Sequence, residues 1–263
     1  MRREYKRFTM LGAIFGDIVG SVYEFNPTTD YNFKLLCKQS TFTDDTVCTV
    51  AVADAFMSGE PYGDVLRRWC LRYPYPMGGY GGSFNRWLQE QDALPYYSWG
   101  NGSAMRASAL GWLCKSREEV LSAATYSAAC THNHPDGIRG AQAAALAVFL
   151  ARNGMSKEEL LQEIEYTFGY EIVEGRLDDY RGRFDESCNG TVPAAFLCIR
   201  ESHDYESAIR LAVSLAADAD TLGAIAGGIA EALYGMPEDY KKAAQALLPM
   251  EMLRLYERFI EMV

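Results

Sequence analysis

Two short acidic segments hold most of the oxygen ligands that this chain could bring to one place, Thr43-Asp44-Asp45-Thr46 and Asp218-Ala219-Asp220-Thr221. Together they carry four carboxylates and several hydroxyls, with no Lys or Arg among them. Burying that much unpaired charge is costly, and a hard divalent cation is the simplest remedy. The competing reading is helix capping, because Asp and Thr both favour N-caps and acids stabilise a helix start. One cap needs one such residue, however, and further anions at the same terminus gain little after the first. Magnesium or manganese suits the set better than zinc, because no His or Cys adjoins either segment.

Two glycine-rich loops could present backbone N–H groups to an anion. They are Met77 to Ser83 (MGGYGGS) and Ser98 to Ser103 (SWGNGS). The second leads directly into an apolar run, and a helix start there would favour phosphate. Each loop taken alone reads equally well as a turn. His132 and His134 fall in Thr131-His-Asn-His-Pro135, which spells the core of an HNH nuclease. That chemistry needs a ββα context and a basic face, and the sequence offers neither. His203, standing alone, reads as a structural hydrogen-bonding residue. No Gly-x-Ser-x-Gly elbow, Walker motif or Rossmann fingerprint occurs.

The elements that must position these residues read as helices. Leu11, Ile14, Phe15, Ile18 and Val22 recur at three- and four-residue spacing, which predicts one apolar helix face and lets Asp17 and Glu24 share a side two turns apart. Thr43 to Thr46 reads as a helix start followed by Val47 to Met57. Further helices are predicted over Val65 to Tyr73, Phe84 to Gln91, Ala104 to Cys114, Arg117 to Cys130 and Gly137 to Asn153. Ser156 to Phe168 is another, with Ser156 as cap and Glu159 three residues on. Residues 169 to 192 are polar and read as a long loop. Pro193 is expected to start a helix to about His203, followed by Tyr205 to Ala217, Thr221 to Tyr234 and the last helices between Lys241 and Val263. Gly223, Gly227 and Gly228 fall inside one of these. Each glycine costs about 1 kcal/mol relative to alanine there, so close helix packing must offset them and bury the start that carries Asp218 and Asp220. No stretch alternates with period two long enough for a sheet. The expectation is an all-α fold, one compact domain over residues 1–263.

Composition bounds the rest. Of 263 residues 49% are hydrophobic, enough for a sizeable core, and the net charge of -10 excludes a non-specific nucleic-acid binder. The seven cysteines, Cys37, Cys48, Cys70, Cys114, Cys130, Cys188 and Cys198, form no CxxC pair, so they read as reduced, mostly buried thiols of a cytoplasmic protein. The basic start (Arg2, Arg3, Lys6, Arg7) precedes an apolar stretch broken by Asp17, which does not read as a signal peptide. The longest apolar run, Ala143 to Ala151, is too short to span a bilayer, and no membrane partner is expected.

Taken in order, these pieces resemble the ADP-ribosylglycohydrolase family, the hydrolases related to dinitrogenase-reductase-activating glycohydrolase. Gly16-Asp17-x-x-Gly20 with Glu24 is similar to its opening helix, and Thr43-Asp44-Asp45-Thr46 to its first metal segment. Gly79-Tyr80-Gly81 resembles the first glycine loop, and Gly100-Asn101-Gly102-Ser103-Ala104-Met105-Arg106 the second. Thr131-His132 followed by Gly140-Ala141 resembles a further segment, and Asp218-x-Asp220-Thr221-x-Gly223-Ala224-Ile225-Ala226-Gly227 the second metal segment. One departure stands out: the family usually has two glycines before the first Asp of that last segment, and here Ala216 and Ala217 replace them.

The resemblance implies an all-helical fold around a binuclear Mg²⁺ or Mn²⁺ centre, with Thr43, Asp44, Asp45, Asp218, Asp220 and Thr221 as ligands. It implies cleavage of the glycosidic bond joining ADP-ribose to an acceptor, an ADP-ribosylated protein or small ADP-ribosyl conjugate, with release of ADP-ribose. Ser98 and the Gly100, Asn101, Gly102, Ser103 and Met105 stretch would hold the pyrophosphate and neighbouring ribose. His132 would contact the phosphate region, while Gly79, Gly81, Gly82 and Ser83 would border the distal ribose. The anomeric carbon develops oxocarbenium character. The cations would anchor the distal ribose through its hydroxyls and lower the pKa of an attacking water, with Asp44 or Glu24 handling the proton. Asp17 would orient the groups around the ligands. The alternative is a catalytically weak ADP-ribose binder or a crystallin-like structural relative, which would bind without turnover.

Overall fold

Apolar residues at helical spacing generate helices along most of the chain, and capping side chains divide them. The computed structural model describes residues 9–90 and 92–263, so the basic start of the chain lies outside the described residues. Among the described residues fourteen α-helices run in order: α1 (Leu11–Gly20), α2 (Asp44–Ser58), α3 (Tyr62–Arg72), α4 (Gly82–Gln89), α5 (Gly102–Met105), α6 (Ser108–Leu113) and α7 (Arg117–Ala129). Then come α8 (Pro135–Arg152), α9 (Lys157–Phe168), α10 (Cys188–Glu201), α11 (Tyr205–Ser214), α12 (Ala219–Tyr234), α13 (Glu238–Leu247) and α14 (Met250–Met262). Among the described residues there is no β-strand. Two isolated bridges tie loops together, Thr43 with Met77 and Gly100 with Ser187. No helix among the described residues is long and apolar enough to cross a membrane.

The centre of the fold is the crossing of α1 and α12. Gly12, Gly16 and Gly20 recur every fourth residue and so lie on one face of α1. Gly223 and Gly227 do the same on α12. The two glycine faces meet backbone to backbone: a Cβ on Gly16 would overlap the Gly223 carbonyl, and one on Gly20 would overlap the Asp220 Cα. At the other end a Cβ on Gly12 would lie 2.5 Å from the Gly227 carbonyl oxygen. Close packing is thus the compensation for the helix-interior glycines of α12, and Gly228 meets Ser108 Cβ of α6 in the same way. Both helices are buried along nearly their whole length. One continuous core surrounds them, drawing Ala and Val from α2, Ala and Leu from α8, and Phe196, Ile209 and Phe259 from the later helices.

A buried acid closes the far end of this crossing. Glu231 on α12 accepts hydrogen bonds from the Thr9 N–H (3.1 Å) and the Gly12 N–H (2.8 Å), and from the Thr9 hydroxyl. It thereby serves the free N–H groups at the start of α1, which its own N-cap, Met10, leaves without a side-chain partner. Burial pushes the Glu231 carboxyl up to about 7, with the Thr9 hydroxyl opposing.

Several boundaries differ from the sequence reading. The run Ala104 to Cys114 is two helices, because the chain turns at Arg106 to carry its guanidinium into a buried site beside α7. Pro193 does not start a helix. It is the sixth residue of α10, whose start is set by Ser187, the side chain of which accepts from the Gly190 N–H (3.0 Å). Residues 169 to 187 remain irregular apart from a 3₁₀ turn at Leu177–Tyr180. Finally, α1 stops at Gly20, so Glu24 lies in the turn beyond the helix and not on its face. The Ser156–Glu159 capping box expected at α9 is present.

Two measurements check this frame. Gly16→Ala should lose about 2–3 kcal/mol of stability through overpacking, whereas Gly81→Ala, where a Cβ meets nothing within 4 Å, should leave the urea midpoint nearly unchanged. Glu231 carries a raised folded-state pKa, so its folded form holds the proton more tightly than its unfolded form. Its contribution is therefore greatest below about pH 4.5 and is lost as pH rises to about 7. The stability of the wild type relative to Glu231→Gln should fall by about 3 kcal/mol across that window and be flat above it.

Candidate functional site

The N-terminal ends of α2 and α12 meet at one cavity of about 260 Å³, and the residues singled out in the sequence gather around it. Asp44 and Asp45 reach it from the first turn of α2, Asp218 and Asp220 with Thr221 from the start of α12, and Glu24 from the turn after α1. The first glycine loop supplies Gly79, Gly81, Gly82 and Ser83 on one side. Ser98, Gly100, Asn101, Gly102 and Met105 supply another, and His132 comes from the end of α7. Thr43 and Ser103 do not line the cavity. Ser103 donates its hydroxyl proton to the Gly137 carbonyl (2.7 Å), pinning the second loop to α8.

Thr43 serves the acid beneath. Its hydroxyl donates to Asp17 Oδ1 (2.7 Å) while accepting the Asp45 N–H (3.2 Å) as the cap of α2. Asp17 Oδ2 takes the N–H groups of Thr43 and Thr46 (3.1 Å each) and the Thr46 hydroxyl. The fully buried Asp17 thus holds the start of α2 against α1 and aims Asp44 and Asp45 from below. Asn101 is committed in a similar way. Its amide donates to Asp218 Oδ2 (2.7 Å) and Thr191 Oγ1 (2.9 Å), so it fixes a carboxylate.

Among the described residues no Lys lines this cavity, and the carboxylates crowd one another. Burial first, and Asp220 beside them second, push Asp17 up to about 7 and Glu24 to about 8. The same two causes hold Asp45 and Asp218 well above the usual carboxylate range. Asp44 is raised by burial and then by Cys48 and Asp220. Burial raises Asp220 too, against hydrogen bonds from Asp218 and the Thr221 N–H. Two buried oxygens, Asp45 Oδ2 and Glu24 Oε2, have no hydrogen-bond partner. A set of carboxylate and hydroxyl oxygens with orphaned acceptors and mutually raised acids fits a hard dication, which would supply the missing positive charge. Among the described residues no group of three or more acidic, His or Cys side chains is already drawn up to hold an ion.

The cavity also has walls that sequence motifs did not flag, Cys48, Phe84, Tyr96 and Glu186, together with Arg106, which closed the second glycine motif without an assigned role. Cys48 follows Asp44 by one helical turn, so helix periodicity could have placed it there. Glu186 and Tyr96 lie in irregular segments and carried no such signal. The thiols are free, and Cys48 Sγ lies 3.8 Å from Cys70 Sγ in the interior. Gly78 and Gly79 adopt left-handed backbone (φ 78° and 80°), and a Cβ on Gly78 would sit 2.5 Å from Glu24 Oε2. Glycine is required there for both reasons.

Comparison with known proteins agrees with this arrangement. The model of the ADP-ribosylglycohydrolase family matches residues 3–262. A solved structure described as an ADP-ribosylglycohydrolase-related protein complex superposes with a TM-score of 0.73 at 25% identity, over 96% of this chain and 98% of the other. The chain is 28% identical to the ADP-ribosylhydrolase ARH3 of Homo sapiens, covering 92% of this chain and 90% of the relative. It is 27% identical to the ADP-ribosylarginine hydrolase Tri1 of Pseudomonas putida, covering 89% and 73%. The chain belongs to the ADP-ribosylglycohydrolase family.

The departure at Ala216 leaves a mark on the backbone. Ala216 takes φ 55°, one of only two non-glycine residues among those described with positive φ. This is the left-handed region that glycine enters freely and alanine enters at a cost. It lies two residues before Asp218. Ala216→Gly should raise stability by about 0.5–1 kcal/mol, the relieved left-handed cost less the greater unfolded entropy of glycine. Ala217→Gly, with no such conformation to relieve, should lower it, and urea denaturation of both variants separates the two effects.

Proposed function

We propose that this chain hydrolyses the glycosidic bond between ADP-ribose and an acceptor, releasing ADP-ribose, with two divalent cations, Mg²⁺ or Mn²⁺. The observation that carries the reading is the meeting of the two acidic helix starts at a cavity also walled by both glycine loops and His132. Asp44, Asp45, Asp218, Asp220 and Thr221, which line the cavity, would hold the cations, while Thr43, expected as a sixth ligand, instead holds Asp17 and the start of α2. Bound dications neutralise the carboxylates and act as Lewis acids toward ribose oxygens.

The chain's own residues do the rest. The Gly79 to Ser83 loop borders the distal ribose and, through Gly78, closes on Glu24. Glu24 Oε2, without a hydrogen-bond partner among the described residues, is the atom at the wall best able to hold a proton and hand it to the departing acceptor. Asp44 is the second candidate for proton transfer. The second glycine loop takes the pyrophosphate. Its position is fixed from outside the cavity, by Ser103 on Gly137 and by the Asn101 N–H on the Glu186 carbonyl (2.7 Å). The acceptor is the side chain of an ADP-ribosylated protein or a small ADP-ribosyl conjugate, and the free thiols suit a reducing compartment such as the cytoplasm.

Incubation with ADP-ribosylarginine and ADP-ribosylserine peptides, in Mg²⁺ or Mn²⁺ and then in EDTA, tests the proposal directly. ADP-ribose should appear with metal and cease with chelation. Asp44→Asn and Asp220→Asn should each lower turnover by about 100-fold or more. Turnover that survives EDTA would refute the cation requirement. Binding of ADP-ribose with no turnover on any linkage would instead identify a binding relative of the family.

A further inference from the structure

Arg106 is a buried guanidinium without a counter-charge. It is 1% exposed, and among the described residues it has no carboxylate partner. Its Nη2 donates to the Ser127 carbonyl (2.7 Å) and to Thr131 Oγ1 (2.9 Å), while its Nε is buried with no acceptor at all. Thr131 is fully buried, so its hydroxyl proton must also find a partner inside the protein. That hydroxyl lies 2.8 Å from His132 Nδ1. The Ser127 carbonyl, the strong acceptor nearby, is already taken by Arg106 and by the Cys130 thiol (3.3 Å).

These contacts decide which nitrogen of His132 carries the proton. An Arg side chain can only donate, so Thr131 Oγ1 accepts from Arg106. Its own proton is then free to go to Nδ1, which must be the bare, accepting nitrogen. A proton on Nδ1 would leave the threonine proton only the weak sulfur acceptor of Cys130, where the bare ring nitrogen offers a strong one. The opposite nitrogen, Nε2, has no hydrogen-bond partner among the described residues. It lies against the second glycine loop: a Cβ on Gly102 would be 3.1 Å from it, and one on Gly100 3.4 Å. His132 also lines the cavity.

We infer that Arg106 and Thr131 form a positioning relay that locks His132 as the neutral Nε2–H tautomer and aims this one donor at the pyrophosphate held by the Gly100–Gly102 loop. The relay explains why an unpaired Arg is tolerated in the interior: the anion that balances it arrives with the substrate, one residue further along the chain of hydrogen bonds. Burial, and then Arg106 itself, hold the imidazole pKa well below its ordinary value, in keeping with a neutral ring. His132 is then a binding donor and not an acid, and Arg106 and Thr131 act through it. This inference rests on the ADP-ribose reading for its ligand, while the tautomer stands independently of it.

Long-range ¹H–¹⁵N correlation spectra of the full-length protein with Mg²⁺, compared with His132→Gln to assign the ring, read the tautomer directly. His132 should show a bare Nδ1 and a protonated Nε2 at neutral pH, with the Nε2 signal moving on addition of ADP-ribose. Thr131→Val should scramble the tautomer and weaken ADP-ribose binding by about tenfold, the worth of one good hydrogen bond. Thr131→Ser, which keeps the hydroxyl, should retain both properties. An Nδ1–H or doubly protonated ring in the wild type overturns the relay, as does Thr131→Val with unchanged tautomer and affinity. If the wild type shows the Nε2–H ring but neither its signal nor calorimetry responds to ADP-ribose or inorganic pyrophosphate, the tautomer is upheld, and the phosphate role and the ADP-ribose reading fall together.

Discussion

Backbone-to-backbone contact between α1 and α12 sets the position of everything in the cavity. With glycine against glycine, the two helices approach more closely than any pair of side chains would allow, and dispersion replaces the contacts that side chains would have made. Asp17 rides on α1 and Asp220 on α12, so this one distance fixes how near the two acids stand. Through Asp17 it also fixes the start of α2, because the Thr43 and Thr46 N–H groups hang from that carboxylate. The cavity floor is therefore an extension of the packing of two helices, and the loops only complete its walls.

Electrostatics complements that frame in two separate halves. On the floor, four aspartates and Glu24 crowd one another until their protons are held far more tightly than in water. Elsewhere on the wall, Arg106 and the ring of His132 have no carboxylate partner among the described residues. A ligand with cationic company at one end and phosphate at the other would satisfy both halves at once. Each half has its own buried polar support: the Asn101 amide holds Asp218, and the Thr131 hydroxyl holds Arg106.

Much of this was legible in the residue order, and the rest was hidden for identifiable reasons. The α9 capping box could be read because Ser156 and Glu159 meet within one turn. The glycine-rich helix signalled close packing because interior glycine has no other compensation, yet its partner could not be named until α1 was seen to carry the matching face. The start of α10 was misplaced because Pro193 resembles a first-turn proline, while the residue that caps the helix, Ser187, gives a bond to Gly190 that composition does not announce. Arg106 read as one letter of a glycine motif. Its burial depends on Ser127 and Thr131, contributed by a different helix end, and no spacing rule joins them. Glu186 is similar, since it sits in an irregular stretch whose path is set by pairing with the second glycine loop.

The glycine seam has an evolutionary consequence. Neither helix can accept a larger residue along it, and neither can slide without dragging an acid out of line, so the cavity floor is closed to gradual change. Apart from Glu24, Thr43 and Gly78, the segments that border the cavity, 21–43, 74–83 and 169–187, lie outside this seam and are largely exposed or half-buried. Novelty in what is bound must arise there, with the helical crossing inherited whole.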